Sequence, residues 1–391
     1  MRRGAALTAA FVLAGIAGPA LPAEGGAAPL PVPKPMSVRL ADAVIATWPD
    51  PNTISDKGWE YTTGIVLRGI AEVYRKNRDP RYLDYIRRFV DVHLREDGRV
   101  DWGADEAGHN LDRMQPGILL LLLHEETGAA RYARAARWLR ARIDRFPRNK
   151  AGGFWHKQKY PNEMWLDGLY MAEPFLVRYA RDFSEPSLVD EAVRQIRLAA
   201  EHTRVPGGLF RHAWDEDRNA AWADPATGVS PQIWGRAMGW FAMALIDVLA
   251  DLPPDHPGRP VLVALLREAA GGIRATQDKK TGLWFQVLDK RDRPDNWLET
   301  SASGMFVYAL SKGVALGVLD GTFTGVARAG EAGLLDRISD DPVGRPVVGG
   351  AVEGMSVQKD LAGYLGKRRL ANSPHGICAA LLATSAVEAS R

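Results

Sequence analysis

The chain has 391 residues, 46% hydrophobic and 25% charged, with a formal net charge of +3. That composition is globular, and with no basic run longer than Lys367-Arg368-Arg369 it lacks the electrostatic footprint of a nucleic-acid binder. The one cysteine, Cys378, excludes an intrachain disulfide, and the length admits one large domain or two ordinary ones.

From the N-terminus, Met1-Arg2-Arg3 is a basic start, Ala5 to Ala17 is apolar, and small residues follow. This reads as a signal peptide over residues 1–23, too short to span a bilayer, with cleavage after Ala20 or Ala23. Residues 24–35, rich in Gly, Ala and Pro, read as a flexible mature N-terminus. The expected location is the periplasm or the exterior, where a chain without disulfides fits a bacterial setting. Residues 36–391 then form a single domain.

Apolar periodicity near 3.6 recurs along that domain, and strand-like alternation is scarce. It predicts helices near 37–48, 59–76, 80–95, 112–127, 130–145, 163–181, 186–203, 232–252, 258–276, 299–317, 321–338 and 374–388. Odd-numbered members are charged and amphipathic, as in Arg131 to Arg140. Even-numbered members are apolar or small nearly all round, as in Gly117 to Leu123. A helix apolar on every side is buried on every side. The pattern predicts an all-α (α/α)6 barrel, an inner ring of even helices inside an outer ring of odd ones.

The segments entering the inner helices carry the unusual residues: Trp59 to Gly64, including Tyr61; Leu111 to Gly117; Met164 to Gly168; Trp234 to Trp240; and Glu299 to Gly304. Glycine in a helix costs about 1 kcal/mol relative to alanine. Close helix packing explains part of that recurrence and room for a ligand the rest. The longest loops, 146–161, 204–231, 277–298 and 339–373, also precede inner helices, so binding residues are expected on that one rim.

Asp167 stands among large apolar residues, with no Lys or Arg between Lys159 and Arg178. Met164, Met171 and Pro174 share its helical stripe, so a raised pKa, suited to a general acid, is expected. The plainer reading is a first-turn Asp complementing the helix N-terminus, with Asn162 as cap. Asp112 opens another inner helix and pairs with Asp167 as candidate carboxylates for glycosidic cleavage, or caps its own helix beside Arg113. His212 and His156 lie beside aromatics on loops and suit hydrogen bonding to a sugar or carboxylate, or ordinary capping. Arg236 suits an acidic sugar, with Trp234 and Trp240 as stacking walls, or these three form an aromatic core seam. No His pair at i, i+4 and no Cys pair suggests a metal. Phosphate-cradling, dinucleotide and Gly-x-Ser-x-Gly motifs are absent from the sequence.

Taken together, Gly152 to Lys157, Tyr160 to Met171, Phe210 to Asp215, Trp222 to Pro225, Trp234 to Trp240, Gly282 to Asp289 and Leu298 to Gly304 resemble the unsaturated rhamnogalacturonyl hydrolases of glycoside hydrolase family 105, related to the unsaturated glucuronyl hydrolases of family 88. The resemblance implies the (α/α)6 fold. It also implies hydration of the C4=C5 bond of a terminal unsaturated uronic acid, with no metal or cofactor. It matches Asp167 to the general acid/base and Asp112 to the second carboxylate. His212, Trp234, Arg236 and Trp240 match pocket residues, and His156 and Tyr61 are taken with them as substrate-binding. The implied partner is a lyase-made oligosaccharide of the pectic type; the resemblance implies no oligomeric state. A glucuronyl hydrolase, a sugar epimerase or isomerase, and a non-catalytic sugar-binding protein are the alternatives.

Overall fold

The apolar period becomes twelve helices of 11 to 18 residues and one short turn of helix in the computed structural model, which describes Met1, residues 34–103 and residues 108–390. All of the expected signal peptide but Met1, and nearly all of the expected flexible segment, lie outside those residues. The helices fall in the compact unit Pro35–Arg391. They are α1 (Met36–Thr47), α2 (Tyr61–Asn77), α3 (Pro80–Val92), α4 (Gly117–Thr127), α5 (Ala130–Ile143), α6 (Leu166–Phe183), α7 (Ser187–Thr203), α8 (Gly235–Asp251), α9 (Arg259–Thr276), α10 (Thr300–Ala315), α11 (Phe323–Leu335), the short α12 (Leu361–Leu365) and α13 (Pro374–Glu388).

Burial sorts them into two rings. Every residue of α8 from Gly235 to Leu249 is buried, as are Leu119 to Leu123 of α4. In α5 only one face is buried, with Tyr132, Ala136 and Leu139 inward. The inner ring runs α2, α4, α6, α8, α10 and α13, each packed on the next, with α13 closing onto α2. Outer helices cover the seams: α3 packs on α2 and α4, α5 on α4 and α6, α1 on α13 and α2. The architecture is the expected (α/α)6 barrel.

Three helix starts differ from expectation, and α8 begins at Gly235 where 232 was expected. A helix through 112–127 would need an amide hydrogen from Pro116, which has none. Leu111–Arg113 is instead a 3-10 turn capped by Asn110, and α4 begins after Pro116. Residues 163–165 form a strand, β1 (Glu163–Trp165), and α6 starts at Leu166. The other strands are β2 (Arg204–Val205), β3 (Leu209–Phe210), β4 (Ala213–Asp215), β5 (Ile338–Asp340), β6 (Pro346–Val348), β7 (Ala351–Val352) and β8 (Arg369–Leu370). They pair antiparallel as β1–β4, β2–β3, β5–β6 and β7–β8. All lie in loops that precede inner helices.

Close packing accounts for the glycines at the inner-helix starts. A Cβ on Gly64 would meet Gln115 Oε1 at 2.1 Å, and one on Gly304 would meet the Ala379 backbone at 2.8 Å. Near the C-terminal ends of the inner helices, the barrel is filled by a charged knot. Tyr308 Oη and Lys312 Nζ each donate to Asp247 Oδ1 at 2.6 Å, with Arg68 3.5 Å from Oδ2. The roomier space is at the other end.

Candidate active site

A cavity of about 290 Å³ opens at the N-terminal ends of the inner helices. Asp167 reaches it because Trp165 is extended and the Leu166 amide donates to the His212 carbonyl at 3.0 Å. The helix therefore starts one residue before Asp167 and puts it in the first turn. Asn162 does not cap α6. It lies outside the helix in the left-handed region, at φ 63°. Met164, expected on Asp167's helical stripe, belongs to β1. Gly168 lets neighbouring loops close in: a Cβ there would stand 2.8 Å from Leu111 and 3.1 Å from His156 Nδ1.

His212 is fully buried behind Asp167, its Nε2 3.1 Å from Asp167 Oδ2. Neither atom meets a partner at hydrogen-bonding angles, so the contact is electrostatic and off-line. On its other side His212 Nδ1 lies 2.9 Å from Tyr364 Oη, which itself accepts from the Gln358 amide. In the tautomer with its hydrogen on Nε2, facing Asp167, Nδ1 accepts from the Tyr364 hydroxyl. Burial pushes the Asp167 carboxyl up, but His212, then His156 and Arg236, outweigh it and leave it below the usual Asp value. This corrects the expected raised pKa. The helical neighbours of Asp167 are indeed apolar, but its cationic and imidazole partners come from other segments.

Asp112 lines the same cavity from the 3-10 turn. Lys157 Nζ donates to its Oδ2, and His156 Nε2 stands 3.5 Å from Oδ1. Arg113 does not pair with Asp112; it donates to the Trp102 carbonyl. Burial pushes His156 down to about 4 despite Asp112, so at neutral pH its ring is uncharged. Lys157 moves the other way: Asp112 outweighs burial and holds the ammonium above its ordinary value. Glu60, at the edge, is raised by burial and by Asp112.

The aromatic wall is not the expected one. Trp165 stacks on His156 at 4.3 Å and on Tyr160 at 4.7 Å, and Tyr61 contacts His375 Nε2 at 3.0 Å. Trp165, Tyr160 and Tyr61 face the cavity. Trp234 and Trp240 are buried behind it, the first donating to Gln286 and the second stacked on Tyr170. Arg236 also departs from expectation. It is 1% exposed and absent from the cavity wall, and its Nη1 and Nη2 donate to the Val352 and Glu353 carbonyls at 2.6 Å each. It pins β7, and the residues after it, Gly354, Met355 and Ser356, form part of the wall. Those three, with Lys57, Lys157, Tyr160 and Trp165, were not among the candidate residues. Lys157 was legible beside His156, whereas nothing in 339–373 marked 354–356. Among the described residues no cluster of three His, Cys, Asp or Glu is arranged to hold a metal.

Glu163 fixes the ring that forms this wall: Trp165 Nε1 donates to its Oε2 at 2.7 Å. Burial, with a smaller push from Asp215, raises the Glu163 carboxyl to about 7. Its contribution to stability is therefore full below the unfolded pKa and is lost as pH rises through about 7. We expect Glu163→Gln to melt higher than wild type at pH 8, by an amount equivalent to about 1–3 kcal/mol, and to match it near pH 4. Melting curves across that range check this. Parallel curves for the two proteins would remove the assignment.

The model of Glycosyl Hydrolase Family 88 matches residues 36–390. A protein of Agrobacterium fabrum is 46% identical over 151 residues, which is 39% of this chain; the match spans 64% of that relative, under two thirds of its length. The unsaturated rhamnogalacturonyl hydrolase YesR of Bacillus subtilis is 28% identical over 316 residues, 79% of this chain and 83% of that protein. A solved glycoside hydrolase from family 105, from C. acetobutylicum, superposes with a TM-score of 0.86 at 35% identity, over 91% of this chain and all of that one.

Proposed function

Because this chain belongs to Glycosyl Hydrolase Family 88 and to glycoside hydrolase family 105, we propose that it removes the terminal 4,5-unsaturated uronic acid from lyase-made oligosaccharides of the rhamnogalacturonan type. The observation that carries the reading is the buried Asp167, backed by His212 and sharing one cavity with the Lys157-paired Asp112. In this reading the carboxylic acid of Asp167 gives its proton to C4 of the enol ether. The resulting carboxylate takes a proton from the water that adds at C5. The product is a hemiketal at C5, which opens and releases the shortened sugar.

Its protein neighbours hold Asp167 ionised, so it must gain a proton before it can act as the acid. An anionic uronate beside it disfavours the carboxylate and raises its pKa, so binding itself loads the acid. Lys57, 3.5 Å from Glu60, and Lys157, paired with Asp112, are the cations of the wall. The uronate shares these lysines with the two carboxylates and does not reach the buried Arg236. The inner-helix N-termini around the mouth favour the same sign of ligand. Export by the basic and apolar N-terminal segment belongs to the same proposal.

The test is the ultraviolet absorbance of the conjugated C4=C5 bond. Wild type should bleach an unsaturated galacturonyl-rhamnose disaccharide faster than an unsaturated glucuronyl disaccharide. The reverse preference would replace the pectic substrate by a glucuronyl one. Persistence of the absorbance with both would defeat the hydrolase reading and leave the isomerase and binding readings.

A further inference from the structure

A second groove, of about 700 Å³, lies beside the cavity. Glu201 and His202 border it at the C-terminal end of α7, an outer helix, so it sits on the same rim as the inner-helix N-termini. The two spaces share a wall. Trp222, in the groove, packs with Tyr160 on a small cluster of Trp165, Ala213 and Val357. Tyr160 and Trp165 face the catalytic cavity. One loop serves both: Gly354 to Ser356 line the cavity and Lys359 lines the groove. Arg211 lines the groove, and the next residue, His212, backs Asp167.

The groove's charges are unevenly matched. Arg211 is held by the carbonyls of Ser230 and Pro231, and among the described residues neither it nor Lys359 has a carboxylate within ion-pair distance. Arg204 is taken by Glu268 at 3.1 Å. The Asp224 carboxylate accepts from the amides of Ala226 and Thr227 at 3.0 and 2.8 Å, turned into its own loop. Glu201 remains as an acid on the α7 border. Arg211 acts on Asp224 only at longer range, and a flat indole with two cations that no carboxylate touches directly is suited to a sugar that carries a carboxylate.

We propose that this groove continues the substrate path on the leaving-group side and binds a second anionic sugar, with Trp222 as the stacking ring and Arg211 and Lys359 as its counter-charges. The inference rests on the proposed hydrolase reading and extends it from a disaccharide to a longer acidic oligosaccharide. Residues on this path act on binding and not on the proton transfer at Asp167.

The experiment compares an unsaturated disaccharide with a tetrasaccharide that has the same unsaturated end and a further uronate. Wild type, Trp222→Ala and Lys359→Glu are assayed on both by loss of ultraviolet absorbance. Lys359→Glu should lower kcat/KM on the tetrasaccharide about 3- to 10-fold and leave the disaccharide within about twofold, and Trp222→Ala should lose more on the tetrasaccharide than on the disaccharide. Added salt should shrink the wild-type preference for the tetrasaccharide, and Lys359→Glu should show no such salt effect. Equal kcat/KM on both substrates in wild type, or equal losses on both in the variants, overturns the groove while leaving the hydrolase reading intact. If Trp222→Ala loses stability, Lys359→Glu, at an exposed position, decides alone. If wild type consumes neither substrate, the hydrolase reading fails first and the groove's role falls with it.

Discussion

Asp167→Asn should lower kcat/KM on an unsaturated uronyl disaccharide by about 10²–10⁴-fold, the usual worth of a positioned general acid or base. Asn keeps the size of the side chain and its place in the first turn of α6, but has no proton to give C4 and no basic oxygen to take one from water. The fold should survive with a modest loss. Asp167 is depressed below its ordinary value, so it contributes stability above the unfolded pKa that is lost as pH falls through the folded one. The Asn variant therefore melts slightly below wild type at pH 7, and the two converge in acid.

The same assignment fixes a pH profile for wild type. An acid must be protonated, so activity falls as pH rises through the Asp167 pKa. That pKa is low among the protein's own groups and higher beside a bound uronate. The descending limb of log kcat should therefore lie at higher pH than that of log kcat/KM. Initial rates for wild type and the variant at several pH values read both results. Activity within about tenfold of wild type in Asp167→Asn would move the acid to another group, and Asp112 would be the next candidate.

The barrel was legible because its inner helices are apolar or small nearly all round. A segment such as Leu119 to Leu123 can only be buried all round, and alternation of such segments with amphipathic ones leaves two rings as the arrangement. The rim was legible through the same logic, since the long loops all precede inner helices. The partners of Asp167 were not legible, because i±3 and i±4 spacing describes one helix only. His212 arrives through the β1–β4 pairing, where Trp165 is opposite Ala213, and no local pattern in either segment announces that register. Tryptophan content misled for a related reason. Trp102, Trp234, Trp240 and Trp284 are among the largest fully buried side chains, so most of the indole surface serves packing, and Trp165 is the one in the cavity wall. The contribution of 354–356 depends on where a 35-residue loop folds back (339–373), which apolar periodicity does not encode.

Arg236 separates a scaffold role from a substrate role most sharply, because its two roles predict opposite measurements. Its guanidinium forks across two successive carbonyls, Val352 and Glu353, lies over the Trp234 ring at 4.7 Å, and feels the buried Glu299 carboxylate. Glu299 also accepts from the amides of Ser301, Ala302 and Val352, so the start of α10, β7 and Arg236 form one buried polar unit. Removing the arginine strands the two carbonyls and leaves the carboxylate without its nearby cation. Arg236→Ala should therefore destabilise the fold by about 3–5 kcal/mol. Arg236→Lys should lose most of the same amount, since one ammonium cannot reproduce a planar fork to two acceptors. Activity should fall alongside, because Gly354 to Ser356 are set by the strand the arginine pins. Denaturant midpoints and KM measured on the same samples decide the matter. A fall in stability with Lys unable to rescue it supports the pinning role, whereas an unchanged midpoint with a raised KM would place the guanidinium on the uronate carboxylate.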